Sequence, residues 1–178
     1  MNTPNKITLF RVIMIPFFVT AMLIPDLPAG NWIAAVIFVV ASLTDFIDGY
    51  LARKYQLVTN FGKFMDPLAD KLLVCAALIC LVDVQRIPGW IVIIIISREF
   101  IISGFRLVAS DQGVVIAAGW WGKAKTFTQM IMLTLFILDF GTIAFWPEQI
   151  LLYLSLALTV ISLADYLWNN KHILKTIR

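Results

Sequence analysis

The sequence predicts an all-α integral membrane protein with six transmembrane helices, and three observations support this fold class. Of the 178 residues, 61% are hydrophobic and only 14% are charged, whereas soluble domains carry about a quarter charged residues. The mean hydropathy is +0.90. Apolar stretches of roughly 20 residues, the length that crosses a bilayer as a helix, recur along the whole chain with short turn-forming segments between them.

Each predicted helix is an apolar stretch that ends at a turn or breaker signal. The predicted spans, in order, are 8–24, 32–54, 61–82, 88–108, 122–141 and 147–168. The segments between them are PDLPAGN at 25–31, KYQLVTN at 54–60, DVQRIP at 83–88, SDQGV at 110–114 and FGTIAFWP at 140–147. The first stretch lacks a good signal-peptide cleavage site, so it is interpreted as the first span. We expect a single domain, residues 1–178, because the sequence contains no internal repeat.

The lysine and arginine residues predict how the helices are oriented. Thirteen of the fourteen cluster at one set of helix ends, and Arg86 is the exception. Cytoplasmic ends of transmembrane helices are rich in these residues. The pattern therefore predicts the cell membrane as the location, with both termini and the longer polar loops in the cytoplasm. A basic face suits anionic lipid head groups or phosphorylated substrates, and this distribution does not support nucleic-acid binding.

Four aspartates interrupt the second and third apolar stretches at helical spacing. Asp45, Asp48, Gly49, Ala52 and Arg53 fall at i, i+3, i+4, i+7 and i+8, which is one stripe of a helix. The next helix repeats the pattern with Gly62, Asp66, Ala69 and Asp70 at i, i+4, i+7 and i+8. Because the connection is short, we expect the two helices to be antiparallel neighbours whose stripes converge on one cavity at the cytoplasmic side.

Electrostatics limits what such a cavity can hold. An aspartate within a span costs about 2.5–3.5 kcal/mol, and two carboxylates about 5 Å apart repel by roughly 3 kcal/mol at an effective dielectric constant near 20. One arginine cannot neutralise four carboxylates, whereas hard divalent cations with oxygen ligands can, and four carboxylates could hold two Mg²⁺ or Mn²⁺ ions. The alternatives are structural ion pairs between the aspartates and Arg53, Lys63 and Lys71, and helix packing for the small residues.

The pattern Asp45-x-x-Asp48-Gly49-x-x-Ala52-Arg53, eight residues, Gly62-x-x-x-Asp66-x-x-x-Asp70 resembles the signature of the CDP-alcohol phosphotransferase family at all eight positions. The resemblance implies a six-helix membrane bundle, usually a homodimer, that moves a phosphatidyl group from CDP-diacylglycerol to an alcohol and releases CMP. It implies that Asp45, Asp48, Asp66 and Asp70 bind the metal ions and that Asp70 is also the catalytic base. The implied CDP site contains Asp45, Gly49, Ala52, Arg53 and Gly62, with Thr8 expected beside it.

The acceptor is predicted from weaker signals. PNKITLFR at 4–11 and GKAKT at 122–126 resemble the branch of the family that uses glycerol 3-phosphate and forms phosphatidylglycerophosphate. A phosphorylated acceptor needs cations, and Arg106, Lys123 and Lys125 lie at cytoplasmic helix ends where they could supply them. Anchoring of the helix ends is the alternative role of these residues. Transfer to phosphatidylglycerol, which would form cardiolipin, and transfer to inositol phosphate remain open as other acceptor reactions.

Two pairs of residues within the spans are expected to point apart. Cys75 and Cys80 lie five residues apart on one predicted helix, so we expect no disulfide between them. Arg98 and Glu99 are adjacent and project about 100° apart, so we expect each to pair with another helix rather than with its neighbour.

Two other functions could use aspartates within a membrane. An intramembrane prenyltransferase would show two separated aspartate motifs and more spans. A divalent-cation transporter would place acidic residues through the depth of the bilayer and would not need the Gly, Ala and Arg positions of the stripe. The single cluster in this chain favours the transferase over both.

Overall fold

The computed structural model describes the backbone of residues 3–25, 27–54, 60–111, 116 and 119–171, and the side chains of residues 8–25, 27–44, 68, 69, 71–109, 116 and 119–171. Within this part of the chain the helices are α1 Thr3–Leu23, α2 Gly30–Lys54, α3 Asn60–Asp83, α4 Gly89–Asp111, α5 Trp120–Leu138 and α6 Phe145–Asn169, with a short 3₁₀ helix at Gly141–Ile143. Each α-helix overlaps one of the six predicted spans. The prediction of an all-α fold with six helices is thus confirmed for the described residues.

Length and composition single out one of these helices as able to cross a membrane. Among the described residues, Phe145–Asn169 is long and apolar enough, and Thr8–Leu23 and Gly30–Thr44 are shorter apolar segments. The helix α4 has the length but carries Arg98, Glu99 and Arg106. That all six helices span a membrane therefore stays a prediction.

The chain divides into two compact units. The first contains Met1–Ile87 and Phe136–Asp139, and the second contains Pro88–Leu135 and Phe140–Arg178. In the first unit, α1 packs against both α2 and α3, and it contacts each of them more extensively than they contact one another. The rings of Phe18 and Phe38, both fully buried, pack with their centroids 6.1 Å apart across α1 and α2. The prediction of a single domain is not tested by this division.

The second unit is built around the contact of α4 with α6. The buried face of α6 is polar for a helix of such high hydrophobicity, with Leu152, Ser155, Thr159, Ser162 and Tyr166 buried. Four of these five side chains carry a hydroxyl group. The Tyr166 ring and the Phe105 ring of α4 pack edge to face, with the centroids 5.7 Å apart and the planes at 82°. Of these hydroxyls, Ser162 Oγ accepts a hydrogen bond from Arg98 Nε of α4 at 3.2 Å, whereas those of Thr159 and Ser162 donate to carbonyls of α6 itself.

A residue in the left-handed backbone conformation follows the last turn of α3 and of α5. After α3, the amide of Gln85 donates to the Val82 carbonyl and that of Arg86 to the Leu81 carbonyl, both at 2.9 Å. Gln85 has φ +59°, so this is a Schellman ending with glutamine at the position that usually holds glycine. After α5, Asp139 has φ +52°, which ends the helix at Leu138 rather than at the predicted residue 141.

Arg86 connects these two helix ends within the first unit. Its Nη1 donates to the Phe136 carbonyl at 2.7 Å, which satisfies one of the carbonyls that a helix leaves without a partner at its C-terminus. Its Nη2 pairs with the carboxylate of Asp139. The one basic residue that the charge distribution placed away from the others is therefore a helix cap.

Candidate active site

The eight named positions of the aspartate motif lie on helical backbone. Its positions are Asp45, Asp48, Gly49, Ala52 and Arg53 on α2, and Gly62, Asp66 and Asp70 on α3. The backbone thus has the period that the predicted stripes require. The side chains of these eight positions lie outside the described residues, so their predicted convergence and their roles stay predictions.

Buried residues of the first unit continue both stripes into its core. They are Ala34, Phe38 and Ala41 on α2, and Ala69, Leu73 and Ala77 on α3. Ala41 precedes Asp45 by one helical turn, and Ala69 lies between Asp66 and Asp70 on the predicted α3 stripe. In both helices the aspartate positions therefore lie on the same face as the residues that are buried inside the unit.

Two polar residues of α1 are buried in the first unit. Thr8 is 2% exposed and Arg11 is 0% exposed. The Arg11 Nε donates to the Ala41 carbonyl at 3.2 Å, across thirty residues of sequence. Because Ala41 is one turn before Asp45, the Arg11 guanidinium lies close to the start of the aspartate stripe on α2. Sequence spacing gave no sign of this contact, since it depends on how α1 packs against α2.

In the second unit, two cations share the carboxylate of Glu99. Arg98 Nη1 donates to Glu99 Oε1 at 3.0 Å, and Lys125 Nζ contacts the same oxygen from α5. Arg98 also donates from Nε to Ser162 Oγ on α6 at 3.2 Å. Lys125 is 2% exposed and Arg98 is 8% exposed, so the cluster joins α4, α5 and α6 inside the unit.

This geometry corrects one expectation and confirms another. The expectation that Arg98 and Glu99 would not pair with each other is wrong, because the long arginine side chain bends round the helix surface and reaches its neighbour. The expectation that each would also pair with a different helix is confirmed by Ser162 for Arg98 and by Lys125 for Glu99. No disulfide joins Cys75 and Cys80.

The three residues predicted to bind the acceptor phosphate have different surroundings. Lys125 is buried against Glu99, whereas Lys123 is exposed on the first turn of α5. The Arg106 guanidinium lies over the Tyr166 ring of α6, 5.6 Å from its centroid, and the residue is exposed. Their role in binding the acceptor is not tested by these contacts.

Sequence reasoning missed a set of buried polar groups in the second unit. Among the described residues, both polar atoms of the Gln129 side chain, Ser155 Oγ and the Tyr166 hydroxyl are buried and have no hydrogen-bond partner. Gln129 follows Lys125 by four residues, so the two share a face of α5. Its only sequence signal was a glutamine in an apolar stretch, and that does not reveal whether the amide has a partner.

Comparison with known proteins decides the family. The model of the CDP-alcohol phosphatidyltransferase family matches residues 1–161, which is most of the chain. The chain belongs to this family. The resemblance seen in the aspartate motif is therefore confirmed by a match that extends far beyond the motif.

Several curated members of the family are similar over nearly the whole chain. A CDP-diacylglycerol–glycerol-3-phosphate 3-phosphatidyltransferase of Bacillus subtilis is 46% identical, with 98% of each chain covered. Proteins of the same name from Haemophilus influenzae and Rickettsia bellii are 44% and 39% identical, with 93% of this chain and 91% and 93% of those proteins covered. This CDP-alcohol phosphatidyltransferase is thus similar in length and sequence to relatives named for glycerol 3-phosphate.

The four aspartates of the family motif fit a divalent metal site by their donor chemistry. Carboxylate oxygens are hard ligands that Mg²⁺ and Mn²⁺ prefer, whereas zinc sites use histidine and cysteine. Among the described side chains, no group of three or more histidine, cysteine, aspartate or glutamate residues could hold a metal ion. The motif aspartates lie outside that set and are the candidates for metal binding.

Proposed function

We propose that this CDP-alcohol phosphatidyltransferase transfers the phosphatidyl group of CDP-diacylglycerol to sn-glycerol 3-phosphate, forming phosphatidylglycerophosphate and CMP. The observation that carries the proposal is the similarity over 98% of both chains to a relative named for this reaction. The unbroken aspartate motif on α2 and α3, in register with the buried faces of both helices, supports it.

The proposed chemistry assigns the motif residues as follows. The primary hydroxyl of glycerol 3-phosphate attacks the phosphorus on the lipid side of the diphosphate, and the bond from that phosphorus to the CMP oxygen breaks. Asp70 accepts the hydroxyl proton, and the Arg53 guanidinium offsets charge on the departing CMP. One or two Mg²⁺ or Mn²⁺ ions, bound by Asp45, Asp48, Asp66 and Asp70, would supply Lewis-acid polarisation of the diphosphate.

The lipid-linked substrate requires the enzyme to sit in a membrane, and the tryptophans support that location. All six tryptophans lie within two residues of a helix end and are 43–77% exposed; they are Trp32, Trp90, Trp120, Trp121, Trp146 and Trp168. Tryptophan is enriched at both membrane–water interfaces. On α6, Trp146 and Trp168 are separated by about 33 Å at 1.5 Å per residue, close to the roughly 30 Å of bilayer hydrocarbon.

The proposal is tested by mixing the purified protein with CDP-diacylglycerol, Mg²⁺ or Mn²⁺ and one alcohol at a time, and measuring CMP. The alcohols are sn-glycerol 3-phosphate, phosphatidylglycerol, inositol phosphate and serine. We expect rapid CMP formation with sn-glycerol 3-phosphate and its loss when a chelator removes the metal. CMP formation with another alcohol alone would reject the acceptor. Transport of Mn²⁺ into proteoliposomes without CMP release would indicate a transporter instead.

The role of Asp70 is tested by Asp70→Asn, which removes the proton acceptor but keeps the shape of the side chain. We expect the rate of CMP release to fall by at least about 1,000-fold, because the substitution removes both a metal ligand and a general base. The circular dichroism signal of the helices should be unchanged. Asp83→Asn is the matched control, because Asp83 is an exposed carboxylate at the other end of α3. An Asp70→Asn protein with near-normal turnover would remove the base assignment.

We also propose that the enzyme is a homodimer with both termini and the active site on the cytoplasmic side. The family resemblance and the distribution of lysine and arginine support these two statements. Native mass spectrometry in detergent measures the oligomeric state directly, and a protein that stays monomeric at all concentrations would reject the dimer.

A further inference from the structure

Gln129 is a buried side chain without a hydrogen-bond partner in the described part of the protein. It is 3% exposed, and neither its Nε2 nor its Oε1 has a partner there. Burying a carboxamide without partners is unfavourable for folding, and a methionine or leucine of similar size would avoid the penalty. A group that weakens the fold in this way is a candidate for binding a ligand.

Its position places Gln129 next to the charged cluster of the second unit. Four residues separate it from Lys125 on one face of α5, and the Lys125 amine contacts the Glu99 carboxylate. Met132 and Leu133, the next buried residues along α5, are apolar. Gln129 is therefore the last polar group on this face before the apolar part of the helix.

The hydrogen-bonding groups of a carboxamide complement those of an alcohol. Oε1 accepts a hydrogen bond and Nε2 donates, while a hydroxyl group both donates and accepts. A polyol hydroxyl at this point could satisfy both atoms of the amide. One helical turn, about 6 Å along the axis, separates Gln129 from Lys125, a cation able to bind phosphate. The two residues thus offer partners for the hydroxyl and the phosphate of one small molecule.

We propose that Gln129 is a specificity-determining residue that binds the secondary hydroxyl of the acceptor while Lys125 binds its phosphate. The inference rests on the proposed function, because it takes sn-glycerol 3-phosphate as the acceptor. Gln129 binds the secondary hydroxyl, which does not react. The enzyme therefore prefers glycerol phosphate to a phosphorylated alcohol that lacks the secondary hydroxyl. The acceptor in turn satisfies the amide, which the protein alone leaves unpaired.

The test compares two acceptors in two proteins. The acceptors are sn-glycerol 3-phosphate and 3-hydroxypropyl phosphate, which keeps the attacking primary hydroxyl and the phosphate but lacks the secondary hydroxyl. We expect the natural protein to favour glycerol 3-phosphate by roughly 10- to 100-fold in kcat/KM, the effect of losing one buried hydrogen-bonded contact. In Gln129→Met the ratio should fall close to one, through a loss with glycerol 3-phosphate and little change with the analogue.

The matched control is Ser155→Ala, which removes another buried and unpartnered polar group of the same unit. It should leave the acceptor ratio unchanged. A natural protein that uses both acceptors equally, or a Gln129→Met protein that keeps the natural ratio, would overturn the role of Gln129. Absence of CMP release from the natural protein with glycerol 3-phosphate would instead reject the proposed function itself, and the inference with it.

Thermal unfolding provides a readout that does not depend on turnover. Without ligand, Gln129→Met should raise the unfolding midpoint by about 2–4 °C, because an unpaired buried amide is removed. Glycerol 3-phosphate should stabilise the natural protein more than 3-hydroxypropyl phosphate does, and this difference should vanish in Gln129→Met. An equal difference in both proteins would contradict the proposal. Gln129→Leu repeats the measurement with a second apolar side chain.

Discussion

At the scale of single residues, the carboxylate of Glu99 holds together three helices. Its Oε1 accepts a hydrogen bond from Arg98 on the same helix and forms an ion pair with Lys125 of α5. Arg98 extends the connection to Ser162 on α6. Removing one partner of a buried ion pair leaves the other charge buried without compensation, which is more harmful than removing both.

That asymmetry predicts the outcome of a double-mutant cycle. Glu99→Gln should lower the free energy of unfolding by about 3 kcal/mol, because Lys125 and Arg98 stay buried beside a neutral group. Combining it with Lys125→Met should recover part of that loss. Unfolding in mixed micelles at increasing denaturant measures the free energy of the four proteins. Strictly additive effects would show that Glu99 and Lys125 do not stabilise each other.

Gln85 offers a stabilising substitution at the end of α3. Its φ of +59° is unfavourable for a residue with a Cβ atom and costs glycine little. Gln85→Gly should therefore raise the free energy of unfolding by about 1 kcal/mol and the unfolding midpoint by about 2–4 °C. Gln85→Ala keeps the Cβ atom and should give no such gain. An equal rise for both would mean that the backbone conformation is not the cause.

Residue pairs within spans were only partly predictable from sequence. The helical angle between Cys75 and Cys80 agrees with the absence of a disulfide between them, because a cysteine side chain is too short to depart far from the direction of its Cβ atom. The corresponding angle fails for Arg98 and Glu99, because a side chain as long as arginine is not confined to the direction of its Cβ atom. Likewise, the burial of Arg11 against Ala41 depends on packing between helices, which a periodic pattern does not contain.

At the scale of the helices, apolar length and breakers predicted the six α-helices of the described residues, and local geometry decided their ends. The predicted span 122–141 ends early because Asp139 adopts a left-handed conformation and Arg86 caps the last turn of α5. The predicted span 8–24 begins late, since the helix α1 already starts at Thr3. Hydropathy reports the apolar middle of a helix, whereas its first and last turns are set by polar contacts.

The junction of α1 with α2 depends on a glycine. A Cβ atom on Gly30 would lie 2.8 Å from the Ala21 carbonyl oxygen, whereas one on Gly104 of α4 would meet nothing within 4 Å. Gly30→Ala should thus destabilise the protein by about 1–3 kcal/mol. Gly104→Ala, its control, should stabilise it by about 0.5–1 kcal/mol, because alanine favours a helix over glycine. Thermal unfolding of both variants measures the pair, and two changes of the same sign would contradict the packing argument.

At the scale of the whole molecule, the charge distribution predicts which ends of the helices face the cytoplasm. In a protein whose two cysteines are replaced by alanine, Thr142→Cys and Lys175→Cys place single thiols after α5 and in the C-terminal segment. A membrane-impermeant maleimide should label residue 142 in intact cells and residue 175 only after the membrane is opened, because basic segments stay on the cytoplasmic side. The reverse pattern would overturn the predicted orientation, and labelling of neither thiol in intact cells would argue against a spanning α6.

The candidate site was predictable where it depends on helical period and not where it depends on contacts between helices. Within α2 and within α3, the spacing of the motif positions agrees with the helical backbone that carries them, because both follow from 3.6 residues per turn. The residues predicted to bind the acceptor phosphate were chosen by charge, which named Lys125 but not the Glu99 carboxylate that it contacts. Gln129 was missed because its significance lies in the absence of a partner among the described residues, and no sequence pattern records that.

The placement of every tryptophan at an exposed helix end determines what an optical experiment on this enzyme will report. Indole emission will follow the polarity of the head-group region and not the integrity of the helix core. A scan of intrinsic fluorescence can therefore stay flat while α1 separates from α2 and α3. Quenchers attached to lipids near the head group should extinguish the signal strongly, and the same quenchers placed at the bilayer centre should leave most of it.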